Sequence, residues 1–285
     1  MVEKILNLMG YPCTPLSIDQ FPNEEEKTAF YDIWHIRYPD RSFVLKRAKG
    51  QEVSIYKTFF DKKCGYAPEF YALAHYDGSD YLLMEYVSGT NLMHCNKADL
   101  LQTVDSLIDM QQGHWLAYDS IGSYEQSLVN RKERALHLRN FHLENAYDAY
   151  LLEFATLPRT LCHDDLLPFN VITSDSKAVF IDWEVGGILP YPTSLARLIA
   201  HGEDAEDALF YMRETDKNFA IDYYFDKFIK GKGIDYSAYR HSLDLFIFYE
   251  YCEWVYLGNK HNCTDSERYQ KYFKKAINLA VSLGF

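Results

Sequence analysis

Apolar positions recur along this chain with two periods, and the change between them divides it near residue 88. Spacing at i, i+3 and i+4 predicts helices, and alternation predicts strands. Residues 1–10 set Val2, Ile5, Leu6 and Met9 on one helical face that closes at Gly10. Strands are predicted over 15–21, 29–38 and 42–47, separated by PNEEEK and by a Pro-Asp turn. A helix over 51–62 carries Val53, Tyr56, Phe59 and Phe60 on one face. A hairpin over 70–76 and 81–87 turns at Asp77, Gly78 and Ser79. From residue 88 the period is mainly helical, over 98–112 and over 124–154, the latter bounded by Pro158. Beyond Gly187 only helices are predicted, over 193–201, 204–228, 236–257 and 264–283, with Thr264 and Glu267 as a capping box for the last. Between these blocks, a strand over 170–173, a turn over 174–177 and an apolar strand ending at Asp182 form a second hairpin. The element order is that of an α+β chain with a small antiparallel lobe over residues 1–87 and a mostly helical lobe over 88–285.

Composition narrows the class. A chain of 285 residues is long for one core and comfortable for two lobes. With 48% hydrophobic and 25% charged residues it reads as globular, not disordered. Its apolar runs fall short of a membrane span, and MVEKILNLMG lacks a basic region followed by an apolar core, so neither a membrane helix nor a signal peptide is expected. The six cysteines form no CxxC pair and no Cys/His metal spacing, which suits a cytoplasmic protein without disulfides or zinc. A net charge of −12 argues against nucleic acid as a partner. It agrees with a cationic small molecule, or with solubility alone. Nothing in the sequence fixes an oligomeric state.

Candidate chemistry concentrates between residues 161 and 187, in LCHDDLLPFNVITSDSKAVFIDWEVGG. Phosphoryl transfer from a nucleotide requires a carboxylate near the acceptor hydroxyl and oxygen ligands that hold Mg²⁺ against the phosphates. Asp165, in a short loop, suits the first task. Asn170 and Asp182, brought close by the hairpin between them, suit the second.

The pattern of His163, Asp165 and Asn170, followed by Ile181-Asp182-Trp183-Glu184, resembles the aminoglycoside phosphotransferase and choline kinase superfamily. The longer HDDLLPFN and IDWEVGG match is most similar to its bacterial choline kinase branch. The resemblance implies a protein-kinase-like two-lobed fold, with ATP or GTP and Mg²⁺ bound between the lobes. It implies that Lys46, at the end of β-type residues Phe43, Val44 and Leu45, contacts the nucleotide's α and β phosphates, where chemistry alone would allow a solvated strand-end lysine. Glu52 is the acid available to pair with Lys46, or else a favourable charge at a helix N-terminus. The segment MEYVSG resembles the family's hinge, with backbone groups at Glu85 and Val87 facing the base. His163 braces the catalytic loop.

Two positions depart from the family. The loop PNEEEKT has no glycine and sets Glu24, Glu25 and Glu26 where backbone amides would approach phosphate. Ser194 stands where relatives carry an acid that begins a helix against the catalytic loop. They support a second reading, a weak or inactive kinase-like binding or scaffold protein. His114 and the charge run Arg131, Lys132, Glu133 and Arg134 read as a solvated helix face. Within the 236–257 helix, Glu250 and Trp254 lie on an apolar, aromatic stripe bordered by Glu253. A carboxylate there needs a partner. It is either an arginine of the same lobe or the positive head of an amino-alcohol or aminoglycoside substrate, bound by charge and cation–π contact. The expected activity is phosphorylation of a hydroxyl on a small, cationic molecule.

Overall fold

The computed structural model describes residues 1–11, 14–23, 29–174 and 177–285. Helix α1 (Val2–Leu8) packs on one face of a five-stranded antiparallel sheet. The strands are β1 (Ser17–Pro22), β2 (Phe30–Arg37), β3 (Ser42–Arg47), β4 (Phe70–Tyr76) and β5 (Ser79–Glu85), in the order β1-β2-β3-β5-β4. Helix α2 (Glu52–Phe59) connects β3 to β4.

Alternation along these strands separates two faces. Trp34, Ile36, Phe43, Leu45, Tyr81 and Leu83 join Ile5 and Leu6 of α1 in one core. On the opposite face Leu82 and Met84 join Ile55 and Tyr56 of α2 in the main core. The register pairs Ile33 with Lys46, His35 with Val44, Val44 with Met84 and Lys46 with Leu82. The same face therefore carries Ile33, His35, Val44 and Lys46, and it roofs the space between the lobes.

The second lobe begins with β6 (Thr90–Asn91), α3 (Lys97–Gly113), α4 (Ser123–Ala135) and α5 (Phe141–Thr156). Strand β7 (Arg159–His163) then leads through a 3₁₀ turn (Pro168–Asn170) into β8 (Val171–Thr173) and β9 (Ala178–Phe180). Strand β10 (Gly186–Pro190) and helices α6 (Pro192–Ala200), α7 (Glu214–Tyr224), α8 (Tyr236–Lys260) and α9 (Glu267–Ser282) complete it. Strands β6, β8 and β9 form one small sheet, and β10 pairs antiparallel with β7. Among the described residues no helix is long and apolar enough to cross a membrane, and Cys64, Cys95, Cys162, Cys252 and Cys263 are free.

Several elements differ from the periodic pattern. The helix expected over 124–154 is two, because Arg139 takes a φ of 54° and Asn140 starts α5 by accepting from the amides of His142 and Leu143. The helix expected from 204 begins only at Glu214. The preceding chain is a loop pinned by hydrogen bonds from the Glu203 amide to the Phe210 carbonyl and from the Met212 amide to the Glu203 carbonyl. The last helix is capped by Ser266, which accepts from the Tyr269 amide, and not by Thr264. Strand β10 was not expected at all: its pairing partner lies more than twenty residues upstream, beyond the reach of any local period.

Candidate active site

Lys46 leaves β3 on the cleft face, where it is 6% exposed, and reaches two carboxylates. Its Nζ lies 2.7 Å from Glu52 Oε1 and 2.5 Å from Asp182 Oδ1. Burial weakens the Lys46 charge, but the two acids outweigh it and raise its pKa. Glu52 is fully buried, and desolvation raises its pKa despite Lys46. Helix α2 is fixed to the other lobe by a close approach at Gly50. Gly50 takes a φ of +51°, and an added Cβ would stand 2.5 Å from the Glu184 carbonyl, which also accepts from the Gln51 amide.

Between the lobes, the segment after β5 carries Glu85 and Val87. The Val87 amide makes no hydrogen bond to the described residues, which leaves a donor at the cleft edge. Tyr86 stacks on His35 with ring centroids 3.9 Å apart, a contact that the sequence reading did not anticipate. Glu24, Glu25 and Glu26 lie outside the described residues.

The catalytic loop is held mainly through His163. Its ring accepts from the Asp165 amide at Nδ1 (3.2 Å) and donates from Nε2 to the Ile181 carbonyl (2.8 Å). That arrangement is a neutral imidazole, and burial lowers its pKa accordingly. It ties the Asp165 loop to the residue before Asp182. Asn170 Nδ2 donates to the Asp165 carbonyl (2.8 Å) and carboxylate (3.3 Å), while its own carbonyl accepts from the Ile181 amide. Asn170 Oδ1 accepts no hydrogen bond from the described residues. Asp182 takes a φ of +63° and keeps 43% of its side chain exposed. An amide oxygen and a carboxylate without full protein coordination fit a hard divalent cation such as Mg²⁺.

Ser194 closes the same loop from below. Its Oγ accepts from the His163 amide (2.9 Å) and donates to the His163 carbonyl (3.2 Å), so the missing acid leaves neither group unpaired. In the run 131–134, Lys132 and Glu133 are exposed as expected, but Arg134 is partly buried and Arg131 is buried. Arg131 is 2% exposed and grips Asp164 with two nitrogens, at 2.7 and 3.1 Å, and also contacts Ser127 and the Tyr150 hydroxyl. Arg131 holds the Asp164 pKa below its usual value against the effect of burial. The signal was present in the spacing: Tyr124, Ser127 and Arg131 fall on the buried face of α4. His114 likewise is half-buried, with its Nε2 3.2 Å from the Tyr66 hydroxyl.

A cavity of about 300 Å³ opens beside Asp165, bounded by Asp164, Arg134, Arg197, Glu250 and Glu253. Asp165 loses water on its inner side, which raises its pKa, while Arg197 opposes the rise. Of the two expected partners for Glu250, the structure contains the arginine. Arg197 Nη1 stands 2.6 Å from Glu250 and 2.5 Å from Glu253. Trp254 lies under the Arg268 guanidinium (4.5 Å) and stacks with Tyr272, so the cation on its ring belongs to this chain. A second cavity of about 400 Å³, between α6, α7, α8 and α9, shares no lining residue with the first.

Residues 32–226 match the model of the phosphotransferase enzyme family, and the chain belongs to that family. Among curated relatives it is 31% identical over 123 residues to protein LicA of Haemophilus influenzae, which covers 43% of this chain and 42% of that one. The chain thus spans less than half the length of the curated relatives it matches. Its fold is similar to an amicoumacin kinase in complex with AMP-PNP, Ca²⁺ and Ami (TM-score 0.66, 12% identity, 98% of this chain and 92% of that one). A choline/ethanolamine kinase family protein of Mesorhizobium loti has a similar fold (TM-score 0.61, 12% identity, the same coverages). The kinase-like fold and the superfamily expected from HDDLLPFN and IDWE are therefore those of this chain.

Proposed function

We propose that this chain is a small-molecule kinase that moves the terminal phosphoryl group of ATP or GTP to an alcohol. The observation that carries the reading is the meeting of Lys46 and Glu52 of the small lobe with Asp182 of the helical lobe, beside Asp165 and Asn170. Asp165 orients the acceptor hydroxyl and takes its proton as the oxygen bonds to phosphorus and the nucleoside diphosphate leaves. Lys46, oriented by Glu52, holds the phosphates. Asn170 and Asp182 would hold Mg²⁺, which neutralises phosphate charge when bound. The Val87 amide and the backbone at Glu85 face the base. No covalent enzyme intermediate is needed, because positioning and charge neutralisation supply the catalysis.

Ser194 removes one argument for an inactive binding protein, since the loop is closed without the family's acid. A cationic acceptor, as in choline kinases, has weaker support than it had in the sequence, because Glu250 and Trp254 both face arginines of this chain. The test is to incubate the protein with Mg·ATP or Mg·GTP and a panel of amino-alcohols, aminoglycosides and uncharged polyols, following diphosphate release and phosphoester formation by phosphorus NMR. A phosphoester that depends on acceptor, nucleotide and metal is expected. A folded protein whose melting point ignores both nucleotides, and which forms no phosphoester with any acceptor, would be a binding protein instead.

A further inference from the structure

Three carboxylates from two distant parts of the chain converge on one guanidinium. Arg197 gives Nε and Nη2 to Asp165 Oδ1, at 3.0 and 2.6 Å, and Nη1 to both Glu250 and Glu253. The other Glu253 oxygen lies 3.2 Å from Arg134, and Asp164 is taken by Arg131. Each carboxylate bordering the cavity is therefore already paired or shared: four acids meet three arginines, and Arg197 serves three of the acids. His201, Glu250 and Glu253 do bring three potential metal-ligand atoms within 4.8 Å of one another, but Arg197 already bonds both glutamates.

We propose that Arg197 is a specificity-determining residue: its tethered guanidinium fills the cation seat of the acceptor pocket, so the alcohol received beside Asp165 carries no positive charge there. A free ammonium group would have to displace a cation that cannot diffuse away and is only 13% exposed. Displacement would also leave a buried guanidinium without a counter-ion, which is strongly unfavourable. If Arg197 stayed, it would keep Asp165, Glu250 and Glu253 as its partners, and a second cation could reach those oxygens only by sharing them beside a guanidinium. The uncharged-acceptor class follows from this occupancy, and it rests on the reading of the Asp165 cavity as the acceptor site.

The test compares choline with its uncharged isostere 3,3-dimethyl-1-butanol, and adds methylguanidinium as a probe of the seat itself. Binding is read as the shift in melting temperature of wild type and of Arg197→Ala. In wild type the two alcohols should bind equally or not at all. In Arg197→Ala, choline should bind at least about tenfold tighter than the isostere, and methylguanidinium should restore melting temperature to the variant while leaving wild type unmoved. A wild type that prefers choline tenfold overturns the proposal, as does a folded variant indifferent to charge. Should Arg197→Ala fail to fold, the double variant Arg197→Gln/Glu250→Gln, which removes one charge of each sign, replaces it with the same expected and overturning outcomes. The methylguanidinium response involves no phosphoryl transfer, so its failure is distinct from failure of the kinase reading, which the phosphoester assay detects.

Discussion

Lys46 Nζ lies 2.5 Å from Asp182 Oδ1, joining the third strand of the small lobe to the end of the second hairpin across 136 positions of sequence. One cation therefore serves a buried acid, Glu52, and an exposed one, Asp182. The exposed acid can change partners when a ligand enters, whereas Glu52 cannot. Lys46→Met should raise the nucleotide KM by roughly tenfold to a hundredfold, about 1.4 to 2.7 kcal/mol of binding. Glu52→Gln, which keeps a hydrogen bond to the lysine, should cost less. Steady-state kinetics on both variants check this, and an unchanged KM in Lys46→Met would remove the lysine from phosphate binding.

Asp165 and Asp182 should separate by role. Asp165→Asn keeps the shape of the loop and the contact with Asn170 but cannot accept a proton, so turnover should vanish with nucleotide affinity nearly intact. Asp182→Asn should lose both, because it removes a proposed metal ligand. Nucleotide affinity can be followed by melting-temperature shift alongside the rate. Wild-type turnover in Asp165→Asn would contradict its assignment as base.

Much of this arrangement was legible in the sequence because it is local. Asp165, Asn170 and Asp182 lie within one loop and one hairpin, and strands β2, β3 and β4 follow their alternation closely. What was not legible depends on distance. Arg131 looked like part of a solvated run until Asp164 supplied its partner, and Arg197 drew no attention until α8 folded back to set Glu250 and Glu253 against it. Ser194 looked like a loss because the sequence does not show that a hydroxyl can both donate and accept.

The Arg131–Asp164 pair should make stability depend on acid. The folded pKa of Asp164 is lowered, so the unfolded chain binds its proton first. Its contribution is fully present above the unfolded carboxylate value of about 3.9 and is lost as pH falls through the lower folded value. Asp164→Asn leaves Arg131 buried without its counter-ion and should cost about 3 to 5 kcal/mol at neutral pH. It should also flatten the acid limb of the stability profile. Urea unfolding from pH 7 down to the acid transition measures both effects, and an unaltered acid limb would assign that limb to other carboxylates.

Ser194 offers a sharper test of how the catalytic loop is held. Its hydroxyl is fully buried and bonds both main-chain groups of His163, the residue that in turn orients the Asp165 amide. Ser194→Ala leaves those two buried groups unpaired, at a cost of about 1 to 3 kcal/mol. The displaced loop should lower kcat more than either KM, since the ligands bind mainly to other residues. Ser194→Asp, which supplies the acid that the family resemblance implies at this position, should not improve on the serine. A carboxylate can accept from the His163 amide but repels its carbonyl, and in this dry position it has no arginine of its own. Melting temperature, kcat and both KM values for the two variants decide the matter. If Ser194→Asp proves as stable and active as wild type, the two-way hydrogen bond is not what holds the loop.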